Sequence, residues 1–302
     1  MTLTSLPETL WYSSQIVMPP KLVDALRTEL ESRSLFDEAC GPNPSDKEII
    51  GGDDTEDAIK HFTHRFKTSA ARVQYVVLNP CGTFEPVSSD LLAFLFDGKV
   101  SILDIPCGSG GGLLAFLCTV AELRQQGRLP VTPVEVTVLA GDISADARQI
   151  HEAMFSRMQP GLAEVGIRIL WHHIDWNVTD PFSTSRLVDQ WFDCCPNDEE
   201  YLIFVSAFSG FADKHLEDVL TAFHAIVARF HSKPCLLFWV EPAMKLSMRV
   251  LKSLTDWFTR RFTGSLVDRS STTTKEFWFR HPFTDERIKS RAQVRSFKRE
   301  RV

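Results

Sequence analysis

The sequence predicts an α/β fold: a doubly wound, mostly parallel seven-stranded sheet with an antiparallel last strand, preceded by a helical N-terminal region. Three observations predict it. From residue 100 onward, short apolar runs alternate with amphipathic helical stretches five times. The first run ends on an acid followed by a glycine-rich turn that opens a helix. The chain then closes on two strand-like segments joined by a loop with no helix between them.

Element by element, Pro19-Pro20 opens a helical pattern with Leu22, Leu26 and Leu30 on one face. The stretch 40–45, Cys-Gly-Pro-Asn-Pro-Ser, breaks the chain, and Gly51-Gly-Asp-Asp54 breaks it again. Thr55 is the expected N-cap of a long helix running toward Leu78. Ala58, Ile59, Phe62, Phe66, Ala70, Val73 and Val77 recur there at helical spacing. Asn79-Pro-Cys-Gly82 ends it, and Gly98 closes a short helix over 89–96. Strands are expected over 100–105, 134–140, 167–171, 201–206 and 235–240, each followed by a helix, near 111–126, 144–158, 183–192, 212–231 and 243–262. Residues 274–280 and 292–297 read as the closing pair. Residues 1–98 are expected to form a helical N-terminal region, and 99–302 the α/β domain.

Composition narrows the class. The chain of 302 residues is 44% apolar and 24% charged, as in a soluble globular protein. It shows no basic-then-apolar leader and no apolar run of membrane-spanning length, so no membrane association is expected. Seven cysteines without C-x-x-C spacing predict reduced thiols, no metal and a cytoplasmic location. A net charge of −6 argues against a general polyanion binder, but charge is uneven: residues 1–60 hold 12 acids and 5 bases, residues 260–302 hold 5 acids and 12 bases.

The chemistry gathers at strand ends, where open α/β sheets bind ligands. Strand one ends at Asp104, and Pro106, Cys107, Gly108, Ser109 and Gly110 form the turn. Glycines admit a ligand close to the backbone, and the helix start adds partial positive charge. An acid at the tip suits a ligand carrying an amine or hydroxyl and opposes a bare diphosphate. The second strand ends in Gly141-Asp142-Ile143, the third is followed by Asp175-Trp176, and the fourth ends at Ser206. Asp142 also reads as a helix cap, and Asp175 as the start of a turn. Gly110-Gly-Gly112-Leu-Leu-Ala115 fits a dinucleotide pattern in letters, but begins too far beyond the strand tip.

The series Asp104-Ile-Pro-Cys-Gly-Ser-Gly110 resembles motif I of class I S-adenosylmethionine-dependent methyltransferases, Asp/Glu-x-Gly-x-Gly-x-Gly, with Pro106 in place of the first glycine. The resemblance implies S-adenosyl-L-methionine as cofactor and S-adenosyl-L-homocysteine as product. It implies that Asp104, Pro106, Gly108 and Gly110 form the cofactor turn, and that Asp142 holds the ribose hydroxyls. Ile143 and Trp176 would pack on adenine, Asp175 would meet the adenine amino group, and Ser206 would complete the cofactor side. The activity implied is methyl transfer to an O- or N-nucleophile of a small molecule or polypeptide. The alternatives are an RNA methyltransferase and a non-catalytic cofactor-binding or interaction protein on the same fold.

The acceptor side is less marked. Asn/Asp-Pro-Pro-Tyr/Phe is absent after Ser206, which disfavours adenine-N6 chemistry. Cys81, Cys107 and Cys235 are cysteine nucleophiles by letter and buried thiols by base rate. Glu241, ending the fifth strand, is the candidate general base or else a loop anchor. His172 and His173 point to opposite faces of a strand and cannot share a metal. His61, Arg65, Thr68 and Arg72 form a stripe on the long helix; Arg65 or Arg72 would bind the methionine carboxylate or an anionic acceptor, against the alternative of a solvated face. The basic run from Arg295 to Arg301 is a candidate RNA contact, but an antiparallel last strand carries it away from the cofactor.

Overall fold

The computed structural model describes residues 5–41, 54–195, 200–208, 215–230, 233–242, 266–271 and 273–299, with Ser253 and Asp256. The strands are β1 (Trp11–Tyr12), β2 (Gln15–Ile16), β3 (Gly98–Asp104), β4 (Val134–Asp142), β5 (Ile167–Asp175), β6 (Glu200–Ser206), β7 (Cys235–Glu241), β8 (Leu266–Asp268), β9 (Lys275–Arg280) and β10 (Arg287–Arg299). The helices are α1 (Pro20–Ser32), α2 (Phe36–Cys40), α3 (Thr55–Leu78), α4 (Glu85–Phe94), α5 (Gly111–Gln125), α6 (Ala145–Glu164), α7 (Pro181–Cys194) and α8 (Leu216–Ala228). The helix expected over 243–262 lies almost wholly outside the described residues.

One sheet runs β1-β2-β9-β10-β7-β6-β3-β4-β5, with β8 on β10. Strands β3 to β7 are mutually parallel, and β10 is antiparallel to both β7 and β9. Chain order reverses between β3 and β6, so the crevice above the β3 tip is the topological switch point. The sheet is wider than the seven strands expected, because β8 is added and the N-terminal region contributes β1 and β2. That region is therefore part of the same body rather than a purely helical attachment.

Two apolar layers cover the sheet. Helices α1, α3, α5 and α6 pack on one face, around Phe66, Phe116, Ile102 and Val138. Helices α7 and α8 pack on the other, around Trp191, Phe223, Ile203 and Trp239. At the sheet end remote from the crevice, Arg124 at the end of α5 donates to the carbonyls of Thr132 (2.7 Å), Val165 (2.9 Å), Leu95 (2.6 Å) and Phe96 (3.1 Å). This clamp holds the long connection from α5 to β4.

Three local expectations change. Asp54, not Thr55, caps α3 by accepting from Asp57 N (2.7 Å), while Thr55 Oγ1 donates to Asp146 on α6 (2.6 Å). Strand β5 runs on to Asp175, opposite Asp142. Strand β10 starts at Arg287 rather than 292, and its pairing with β7 begins only at Gln293 opposite Glu241. Residues 287–292 thus pair with β9 but not with β7, in a ribbon that continues into β2 and β1 and projects past the carboxyl edge of β7.

Candidate cofactor crevice

The turn from β3 into α5 forms because only glycine adopts its backbone at low cost. Gly108 (φ +50°) and Gly110 (φ +83°) are both left-handed. Gly110 also lies so close to His151 that a Cβ there would be 2.0 Å from the ring. A Cβ on Gly111 would meet the Phe66 carbonyl oxygen at 2.9 Å, and one on Gly112 would meet Ser206 Oγ at 2.4 Å. The glycines let α3, α6 and the β6 tip converge on the turn, with Ser206 against it.

Two acids line this convergence. Asp104 is 2% exposed, and its Oδ2 has no hydrogen-bond partner among the described residues. Burial, and then the nearby Asp142 carboxylate, push its pKa well above the usual carboxylate range. Asp142 Oδ2 accepts from Gly108 N (2.8 Å) and Oδ1 from Ser144 N (2.9 Å). Burial raises its pKa too, and those backbone donors oppose the rise. Asp142 therefore ties the glycine turn to the loop after β4, while Ser144 caps α6 through Ala147 N (3.2 Å). A carboxylate has about four acceptor positions, so roughly two remain for ligand hydroxyls.

The rim is assembled by Arg148 of α6. Its Nη1 donates to the Asp142 carbonyl and to Asp175 Oδ1 (3.3 Å). The Asp175 side chain is 66% exposed, open to a partner, and Ile143 beside it is also exposed. Trp176 is different. It is buried, its Nε1 donates to Thr184 Oγ1 (3.2 Å), and it packs in the layer of Ile105 and Leu187. Its rings pack in the core, which leaves Ile143 as the exposed apolar side chain at this rim. Pro106 follows a cis peptide bond at the strand tip.

On the acceptor side, Glu241 takes the position expected of a loop anchor. The residue is fully buried, and its Oε1 accepts from Phe208 N (2.7 Å) and Trp239 Nε1 (2.8 Å). It anchors the segment after β6. Cys107 is buried, and burial pushes its thiol well above the ordinary value, as it does for Cys235 at the far end of β7. Cys81 is exposed, beyond the end of α3. None is placed as a nucleophile here.

The α3 stripe is not a solvated face. Arg72 is buried and its Nε donates to the Arg291 carbonyl (3.0 Å) on the projecting ribbon. Arg65 is half-buried. Burial, then the Arg65 and Arg72 charges, push the pKa of His61 down to about 4. Further along α3, Lys67 Nζ donates to the Ala39 carbonyl (2.8 Å) and lies 3.0 Å from His281 Nε2, with burial pushing it down to about 8. Sequence reasoning missed Arg148, Lys67 and His281. Arg148 follows Asp142 by six positions, which puts it on the second turn of α6 facing back to the strand tips; that spacing was the available signal. A cleft of about 310 Å³ between α1 and the β9–β10 loop is lined by Arg27, His281 and Phe283. None of the glycine-turn residues lines it, so it is separate from the crevice.

The strand order, the antiparallel β10 and the acid-plus-glycine turn at the switch point define a class I methyltransferase fold. No family model matches the chain, and no curated protein matches it. Solved structures similar to it include one assigned as a class I S-adenosylmethionine-dependent methyltransferase from Listeria monocytogenes (12% identity, 93% of this chain and 88% of that one, TM-score 0.34). Another is assigned as an S-adenosyl-L-methionine-dependent methyltransferase from Methanococcus maripaludis (13% identity, 73% and 76%, TM-score 0.31). A third comes from work on the conversion of a disulfide bond into a thioacetal group during echinomycin biosynthesis (15% identity, 72% and 81%, TM-score 0.32). At such scores these likenesses add nothing to the strand order, which stands on this chain's own pairing. Among the described residues no helix is long and apolar enough to cross a membrane.

Proposed function

We propose that this protein is an S-adenosylmethionine-dependent methyltransferase acting on an O- or N-nucleophile. The observation that carries the reading is Asp104: a buried strand-tip carboxylate with an open oxygen beside a glycine turn that Asp142 holds in place. A buried unpaired carboxylate oxygen is costly, and a cofactor with an amine donor relieves it. The same group fits the remaining acceptor positions of Asp142 and the exposed carboxylate of Asp175. Bound S-adenosylmethionine would supply a sulfonium methyl group, which leaves to the acceptor as the acceptor's proton is lost.

The protein's own part is alignment and exclusion of water. Asp142 fixes the turn, Arg148 fixes Asp175, and α3 covers the turn through Phe66. Glu241, buried and bonded to Phe208 N and Trp239 Nε1, acts in this reading as an anchor and not as the base. Arg65, the half-buried cation of α3, is the residue in this reading that would meet an acceptor or cofactor carboxylate. The test is transfer of a radiolabelled methyl group into fractionated lysate, with and without ribonuclease. Label in any fraction, lost with Asp104→Asn, supports the reading. Its absence from every fraction, while the protein still binds cofactor, selects the non-catalytic alternative.

A further inference from the structure

The projecting ribbon carries a surface that the crevice does not use. Residues paired across strands share one face of a sheet. Tyr12 pairs with Gln15, Gln15 with Trp278, and Trp278 with Lys289, so these four form a single row across β1, β2, β9 and β10. The next row, Trp11–Ile16–Phe279–Ile288, turns inward, with Ile16 and Phe279 buried. The outward row therefore faces solvent, and it keeps two large aromatics there: Tyr12 at 52% and Trp278 at 39% exposure.

Cations flank this row. Arg280 sits directly opposite Arg287, and Arg291 opposite Glu276. Like charges facing each other across a ladder destabilise it. Arg280 reaches Asp285 (2.5 Å), and the Arg287 guanidinium lies over the Trp278 ring, 5.1 Å from its centroid. Lys289 and Arg291 share Glu276 at 2.7 and 3.0 Å. All these groups are exposed, and surface pairs of this kind hold weakly enough to yield to a phosphate. Four bases stand against two acids on this face, in a chain whose net charge is −6.

We propose that this face is a docking platform for single-stranded RNA, with Trp278 and Tyr12 stacking bases and Arg280, Arg287 and Arg291 meeting phosphates. Aromatics interleaved with arginines on an open sheet match a strand whose bases are splayed out, whereas an acidic polypeptide has no use for the exposed rings. Ser13, Ser14 and Gln15, in the β1–β2 hairpin beside Tyr12, offer the donors and acceptors that a ribose 2′-hydroxyl requires. The basic surface also lies at the crevice end of the sheet, because it is the start of β10 rather than its tail that carries these charges. Naming RNA as the methyl acceptor rests on the transfer reading above; the docking itself does not.

Fluorescence anisotropy of the full chain with a labelled single-stranded RNA dodecamer, without cofactor, tests the docking and so stays separate from any failure of the cofactor reading. Binding should weaken about tenfold in Trp278→Ala. In Arg287→Ala the slope of log affinity against log salt should fall by about one. If Trp278→Ala loses the wild-type circular dichroism spectrum, Trp278→Leu, which keeps bulk without a π face, should show the same loss of affinity. No RNA binding, unchanged binding in a folded Trp278 variant, or equal binding of poly-glutamate or of DNA of the same sequence would each overturn the proposal.

Discussion

Asp142 and Glu241 each end a parallel strand, each is buried, and each accepts two N–H donors, one of them a backbone amide from a neighbouring strand-end segment. Their surroundings differ. Asp142 sits on a glycine turn beside a second carboxylate whose Oδ2 is open, and the mostly buried Arg148 links its strand to the rim. Glu241 sits among Trp239, Phe208 and Val240, fully closed from solvent. An acid at a strand tip is thus not a functional signal alone. What separates ligand site from anchor is whether the surroundings leave room, and the β3 turn does so through glycine while Phe208 and Trp239 close around Glu241.

The contrast can be broken in several ways, in falling order of effect. Gly110→Ala places a Cβ 2.0 Å from the His151 ring on a left-handed backbone. It should cost about 3 kcal/mol or more of stability, read by chemical denaturation. A wild-type midpoint would mean that the turn is looser than described.

Titration supplies the next test. His61 has a folded pKa of about 4 against an ordinary 6.5. The unfolded chain therefore binds the extra proton first, and stability present above pH 6.5 is lost as pH falls toward 4, by at most about 3 kcal/mol. His61→Asn should shallow that limb of the stability curve, to which the buried His151 also contributes. The buried Asp104 acts with the opposite sign, so a limb unchanged in His61→Asn would show that His61 is not its source.

Asp104→Asn removes a carboxylate whose ionisation the fold disfavours. The unliganded protein should gain about 1 kcal/mol, seen as a higher melting temperature, while S-adenosylhomocysteine affinity falls. A loss of stability would show that Asp104 is satisfied in the folded protein. Glu241→Gln should do least. Its amide oxygen still accepts from Phe208 N and Trp239 Nε1, so the pH dependence of methyl transfer should not move. A shifted acid limb would restore Glu241 as the base.

The same contrast explains what was legible in the sequence. Asp104, Gly108, Gly110 and Asp142 are read from short strings because each lies within a few residues of the strand end that positions it. The fold class was legible for the same reason, through the local alternation of strand and helix. The acceptor side is made by contacts between distant segments. Arg72 meets the carbonyl of Arg291 and Lys67 meets His281, pairings that no local pattern encodes. The alternation along 275–280 and 287–292 marks strands, but only the register shows that Tyr12 shares their face. Trp176 misleads because an aromatic after a strand-tip acid looks the same whether it faces a ligand or the core.

The central claim is that the β3 turn and its two acids form a site for S-adenosylmethionine. Isothermal titration of S-adenosylhomocysteine into the wild type and Asp142→Ala tests it most directly. The variant loses two charge-assisted hydrogen bonds that hold the turn and its loop, so affinity should fall at least about 100-fold. Circular dichroism checks that it remains folded. No binding by the wild type, or equal binding by a folded Asp142→Ala, would contradict the account.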